Sequence, residues 1–140
     1  MLVRWLIALL AVPALLIAGC GGGDDGTTST GAQGFQIVGS WRGVLHQKGL
    51  QPFTVNADIR DLTDPSANTV HYSGIDCGGN WTLVGHTGGT YRFREVINRG
   101  AGGTCKGVGI VLLVPMGADR LGYQFTGGGV TSTGNLSRAG

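Results

Sequence analysis

The sequence predicts an all-β domain, an eight-stranded antiparallel up-and-down barrel, that follows an N-terminal signal helix. The chain has 140 residues, enough for one domain. Beyond a glycine-rich segment, short alternating or apolar runs are separated by Gly, Asn, Asp and Pro, which is the pattern of strands joined by tight turns. No run shows a 3.6-residue period, so no helix is expected in this part of the chain.

The first residues have the pattern of an export signal. Arg4 supplies a positive charge, and residues 5–17 form a 13-residue apolar run that is too short to span a bilayer comfortably. The small residues Ala18 and Gly19 then precede Cys20. This arrangement resembles the lipobox of bacterial lipoproteins, and the resemblance implies cleavage before Cys20 and a diacylglycerol and acyl lipid on its thiol. A secretory signal with a chance cysteine and an uncleaved membrane helix are the alternatives.

The segment after Cys20 is predicted to be a flexible tether. Residues 21–34 contain no apolar side chain larger than alanine, so they cannot form a core. A glycine-rich chain of this length has a root-mean-square reach of roughly 20 Å. The predicted domains are therefore a signal peptide over 1–19, the lipidated cysteine and its linker over 20–35, and a barrel over 36–140.

Eight segments after the tether fit β-strands. The alternation is clearest in 53–61, where Phe53, Val55, Ala57 and Ile59 share one face, and in 90–98, where Tyr91, Phe93 and Ile97 share one face. Within the sixth segment, residues 108–114 are apolar on both faces apart from Gly109, so this segment is either covered on both faces or less regular than a strand. The predicted strands are 38–46, 53–61, 69–73, 81–85, 90–98, 106–114, 120–126 and 130–138.

Two relationships favour a closed barrel over a sandwich of the same strands. In a meander the loops alternate between the two ends, so Cys77 and Cys105, in the loops after the third and fifth strands, are expected at the same end. Closure would also place the first strand beside the last, and so Trp41 near Arg138. A closed barrel leaves no exposed edge strand.

The residues Gly39-Ser40-Trp41 resemble the GxW signature of lipocalin- and avidin-like (calycin) barrels, in which a late arginine packs over the tryptophan. Arg138 is the matching residue, and its packing would be a cation–π closure. More of the chain, roughly 39–138, resembles a small extracytoplasmic module of actinobacteria found in lipoproteins and in receptor-like Ser/Thr kinases. The resemblance implies a fold and a location but no activity, and the chain has no kinase motif. It is carried by residues 39–43, 53–55, 93–97, 121–123 and 134–138 and by both later cysteines.

Cys77 and Cys105 are 28 positions apart and are expected to form a disulfide, which persists outside the cytoplasm. A redox or metal-binding pair is the alternative, but there is no CxxC motif. The three histidines, His46, His71 and His86, show neither HxH nor HExxH spacing. No metal site is therefore expected.

Glu95 is expected to be buried, because the alternation places it on the apolar face of its strand with Tyr91 and Phe93. A buried carboxylate must pair, accept hydrogen bonds or stay protonated. The alternatives are a structural network with an arginine or with Tyr123, a polar anchor for a ligand, and a general acid or base. The last is disfavoured because no second carboxylate is placed beside it.

The aromatic residues either fill the barrel or line a cavity. Trp81, Tyr91, Phe93 and Tyr123 are candidates for a ligand-binding interior, but side chains usually fill a barrel of eight strands. A cavity above about 300 Å³ would favour a ligand.

These observations predict a lipid-anchored, non-catalytic envelope module on the extracytoplasmic face of the cell membrane. The formal net charge is +2, and it would be +1 without Arg4, which argues against nucleic acid as a partner. A small ligand, a cell-wall fragment or an envelope protein remains possible as the partner. A carrier of a small apolar ligand is the alternative, followed by an enzyme centred on Glu95.

Overall fold

A computed structural model describes residues 34–140, which form a closed antiparallel barrel with strand order β1 to β8. The strands are β1 (Gly39–Gln47), β2 (Phe53–Ile59), β3 (Thr69–Ser73), β4 (Cys77–Thr87), β5 (Thr90–Arg99), β6 (Val108–Pro115), β7 (Arg120–Gly127) and β8 (Val130–Arg138). The predicted all-β up-and-down barrel is confirmed, since β8 pairs with β1. The predicted signal helix lies outside the described residues, and within them no helix is long and apolar enough to cross a membrane.

The alternation of side chains builds the barrel interior. In β2 every second residue from Phe53 to Ile59 is buried, and those between them are half-buried. The same period of two operates in the other strands, because successive side chains of a strand point to opposite faces. Trp41, Trp81 and Phe93 are the largest fully buried side chains, so bulky residues fill the interior.

Strand β4 is longer than the sequence pattern indicates. A strand is expected over 81–85, whereas β4 begins at Cys77 and ends at Thr87. The pair Gly78-Gly79 has the composition of a turn, but it lies within the sheet at a register shift against β5. A Cβ on Gly79 would collide with the carbonyl oxygen of Val96, so glycine permits a close approach of the two strands.

The two cysteines lie at the same end of the barrel. Cys77 begins β4, and Cys105 lies in the loop between β5 and β6. Their Cα atoms are 6.3 Å apart, within the range of disulfides, and both are buried. We call this the disulfide end, and the opposite end, where β1 begins and β8 finishes, the closure end.

Candidate functional site

A buried polar cluster surrounds Glu95, which is only 2% exposed. The indole Nε1–H of Trp81 donates a hydrogen bond to Glu95 Oε2 over 2.8 Å, and the hydroxyl of Tyr72 donates to the same oxygen. The hydroxyls of Tyr72 and Tyr123 are 2.9 Å apart and hydrogen-bonded. We call these four residues the Glu95 cluster.

Strand register places the members of the Glu95 cluster. Trp81 on β4 is directly opposite Glu95 on β5. On the other side of β5 the residue opposite Glu95 is Gly109 of β6. A Cβ on Gly109 would collide with the ring of Phe125, so this glycine allows an aromatic ring to pack beside the carboxylate.

Burial favours the protonated forms of the three titratable side chains of the Glu95 cluster. It raises the pKa of Glu95, and the hydrogen bonds from Trp81 and Tyr72 oppose that rise. Burial also raises the pKa of Tyr72 and of Tyr123 well above 10.0, with a further contribution from the charge of Glu95. Both phenols therefore remain protonated and serve as hydrogen-bond donors.

A small cavity of about 30 Å³ adjoins the cluster at the disulfide end. Glu95, Tyr72 and Tyr123 line it, together with Phe53, Phe125 and the rim residue Lys106. Its volume exceeds the ~10–15 Å³ needed for one water molecule but is far below that of a typical ligand pocket of ~300 Å³ or more. The barrel interior is therefore filled rather than hollow.

The predicted aromatic set divides between separate parts of the barrel. Trp81 and Phe93 pack together with ring centroids 5.7 Å apart, within the filled core. Tyr91 lies toward the closure end, where its hydroxyl donates to the carbonyl of Phe35 over 3.4 Å and its ring stacks on His86. The cavity beside Glu95 is lined by none of Trp81, Tyr91 and Phe93, so a ligand pocket formed by these three residues stays a prediction.

Trp41 and Arg138 meet at the closure end. They are paired across β1 and β8, and the guanidinium carbon lies 4.3 Å from the centroid of the indole ring. Arg138 also donates to the carbonyls of Gln36 and Val38, over 2.7 and 3.2 Å. It forms an ion pair with Asp119 at 2.9 Å. This arginine thus holds the segment before β1 against the barrel.

The sequence pattern does not reveal two buried polar features of the barrel. The expected partner of Glu95 was an arginine or Tyr123, whereas Tyr72 and Trp81 bind it and Tyr123 is reached through Tyr72. Asn68 is a second buried polar residue, and its side chain bonds the backbone of Arg60 and Asp61. The inward position of Tyr72 follows from alternation in β3, but its contact across the interior does not.

The histidines are dispersed. His46 is exposed, His71 is half-buried on the outer face of β3, and His86 stacks on Tyr91. Within residues 34–140 no group of three or more His, Cys, Asp or Glu could hold a metal ion. Cys20, the predicted lipidation site, lies outside the described residues.

The outer face of β6 is apolar. Val108, Ile110, Leu112 and Val114 point outward there, and Val108 and Val114 are 49% and 45% exposed. We call these four residues the apolar stripe. It is bordered on β5 by two exposed arginines, since Arg94 pairs with Ile110 and Arg92 with Leu112.

No protein-family model, no curated protein and no solved structure matches this chain. The resemblance to lipocalin-like barrels and to the actinobacterial module thus stays a prediction from the motifs quoted above.

Proposed function

We propose that the chain is a lipid-anchored, extracytoplasmic envelope module that is not an enzyme and that binds an envelope protein through the apolar stripe on β6. The observation that carries this proposal is the combination of a filled interior with an apolar outer strand. A strand of a closed barrel that is covered inside ordinarily has a polar outer face. Contiguous apolar residues on the outside are typical of an interaction surface.

The filled interior argues against the alternative function, a carrier of a small apolar ligand. The cavity has a volume of about 30 Å³, whereas a carrier needs space for a whole molecule. Among the described residues, Glu95 is the only acid that lines that cavity. Paired carboxylates at catalytic separation are therefore missing from it, which argues against the enzyme alternative.

The charges beside the apolar stripe favour a protein with acidic residues as the partner. Arg92 and Arg94 are exposed next to Leu112 and Ile110, and within residues 34–140 neither forms an ion pair. An apolar centre with a charged rim is the ordinary composition of a protein interface. The proposed partner thus presents apolar side chains flanked by Asp or Glu.

The leader and the cysteines support the proposed location. The motif ending in Cys20 supports lipid attachment, and the tether of residues 21–34 would keep the barrel within reach of the membrane. The cysteine pair at disulfide distance is consistent with an oxidising compartment.

Photo-cross-linking in the bacterial envelope tests the partner face. A photoreactive amino acid at Leu112 should give a defined protein adduct, and the same label at Asn56, on the outside of β2, should not. The double variant Arg92→Glu, Arg94→Glu should abolish the Leu112 adduct, while Arg42→Glu, an exposed arginine of β1, should leave it intact. Adducts to lipid alone, equal yields at both positions, or an adduct insensitive to both charge reversals would refute the proposed interface.

A further inference from the structure

One oxygen of the buried Glu95 carboxylate accepts no hydrogen bond from the part of the chain that the structure describes. Both hydrogen bonds, from Trp81 and from Tyr72, are accepted by Oε2, and none from residues 34–140 reaches Oε1. Within the same residues no fully buried side-chain oxygen or nitrogen lacks a hydrogen bond, so Oε1 retains accessible surface. Glu95 lines the cavity at the disulfide end, and this cavity is where a ligand could reach Oε1.

The cavity has the chemistry of a site for a small organic cation. Aromatic side chains of Phe53, Tyr72, Tyr123 and Phe125 line it beside the carboxylate. Aromatic rings attract cations through their quadrupole, most strongly where water is excluded. The volume of about 30 Å³ exceeds that of one water site and suits a group of two or three heavy atoms.

We propose that this cavity binds an alkylammonium group, with Glu95 Oε1 as the acceptor and counter-charge and the four aromatic rings as its walls. The group could belong to a free small amine or to the end of a lysine side chain, since both present the same –CH₂–NH₃⁺ chemistry. The site requires neither the lipid anchor nor the apolar stripe, so it is independent of the proposed function.

The hydrogen bonds of the cluster prepare Glu95 for this role. Two donors on Oε2 favour the ionised form and hold the carboxylate in place. Burial raises the pKa of Glu95, so a bound cation would replace the missing solvation of the carboxylate.

Lys106 at the rim is the charged group that opposes a cation. Its side chain lies along the turn between β7 and β8, where a Cβ on Gly128 would be 2.7 Å from Lys106 Cγ. It forms no ion pair with Glu95 within the described residues, so it does not itself occupy the site. Removing this like charge should strengthen binding of the ammonium group.

Indole NMR of the full chain in detergent micelles tests the proposal. Trp81 Nε1–H donates to Glu95 and reports on the site, whereas Trp41 Nε1–H donates to the carbonyl of Ile37 and is the internal reference. Methylammonium should shift the Trp81 signal saturably without shifting that of Trp41. Methanol, a neutral molecule of the same size, should not.

Variants separate charge recognition from a general effect on folding. Glu95→Gln should weaken methylammonium binding at least about ten-fold, and Lys106→Met should strengthen it. Asp76→Asn, the same exchange at an exposed turn of the disulfide end, should leave it unchanged. If Glu95→Gln does not fold, Lys106→Met and Asp76→Asn still decide the question, because recognition of a cation at Glu95 predicts stronger binding for the first and unchanged binding for the second.

The source of the ammonium group follows from a second titration. Tighter binding of N-acetyl-lysine methylamide than of methylammonium would indicate a lysine side chain, and the reverse order a free amine. An unshifted Trp81 signal, equal shifts with methanol, or binding that is insensitive to both Glu95→Gln and Lys106→Met would overturn the proposal and leave a water site.

Discussion

Trp81 and Glu95 face each other across β4 and β5, and the indole donates to the carboxylate over 2.8 Å in the barrel interior. The Tyr72 hydroxyl donates to the same oxygen, so two donors from adjoining strands share one acceptor. Removing the acceptor would leave both buried donors unpaired, which is costly. The carboxylate thus stabilises the cluster, although its burial carries an electrostatic cost that depends on pH.

Stability should fall as the pH rises through the titration of Glu95. Burial raises the pKa of this carboxyl above its ordinary value of 4.5, so between the two pKa values the folded state binds more protons than the unfolded state. The free energy of unfolding must then decrease with rising pH in that window. Chemical denaturation of the full chain and of Glu95→Gln from pH 4 to pH 9 isolates this contribution, because other titrations cancel in the difference.

The free energy of unfolding of the wild type, relative to that of Glu95→Gln, should thus decrease as the pH rises above about 4.5. The difference between the two proteins should become constant above the pKa of Glu95 in the folded state. Glu95→Gln should also lower the melting temperature at acidic pH, because its amide brings two buried N–H donors where the protonated carboxyl brings one O–H. If the wild type instead gains stability over Glu95→Gln as the pH rises, the hydrogen bonds to Glu95 lower its pKa by more than burial raises it. An unchanged melting temperature would count against a structural role.

The sequence predicts some contacts of the barrel better than others. Alternation places Phe93 and Glu95 on the inner face of β5, and loop parity places Cys77 near Cys105, because both depend on neighbouring residues or strands. The Tyr72–Glu95 contact joins β3 to β5 across the interior, so it depends on the tilt and stagger of the closed barrel. Single-strand patterns carry no information on that stagger.

Glycines account for a second difference between the structure and what the sequence pattern predicts. Gly78 and Gly79 have turn composition yet lie within β4, where close strand approach requires the absence of a side chain. Gly109 interrupts the apolar run of β6, where a larger side chain would collide with the Phe125 ring. In both cases the reason is a tertiary contact that the local sequence does not reveal.

Arg138→Ala should destabilise the closure end by about 1–2 kcal/mol, through loss of the cation–π contact with Trp41 and of the bonds to the Gln36 and Val38 carbonyls. Arg138→Lys should recover only part of this stability, because an ammonium group cannot reproduce the several hydrogen bonds of the planar guanidinium. Thermal melts of the full chain measure the change. The exposed Arg120, which begins β7, is the control; an equal effect of Arg120→Ala would argue against a specific role of Arg138.

Loss of the bridge between Cys77 and Cys105 should cost about 3–4 kcal/mol in the chain-entropy model, since it closes a loop with a separation of 28 residues. Intact-mass analysis of the alkylated full chain should show two additional modified thiols after reduction. Cys77→Ser and the double variant with Cys105→Ser should be similarly destabilised, since either breaks the bridge. A reactive thiol at either position before reduction would exclude the disulfide.

Replacement of Cys20 by serine should release the protein from membranes. The hydroxyl of serine cannot form the thioether that lipid attachment requires, and the tether of residues 21–34 has no apolar side chain beyond alanine to bind a bilayer by itself. Fractionation of cells should move the Cys20→Ser variant from the membrane pellet to the released fraction, while Cys77→Ser, which spares the predicted lipid site, should stay in the pellet. Retention of an unprocessed Cys20→Ser chain in the membrane would instead indicate that the apolar run of residues 5–17 acts as an anchor, and that lipid is not needed for attachment.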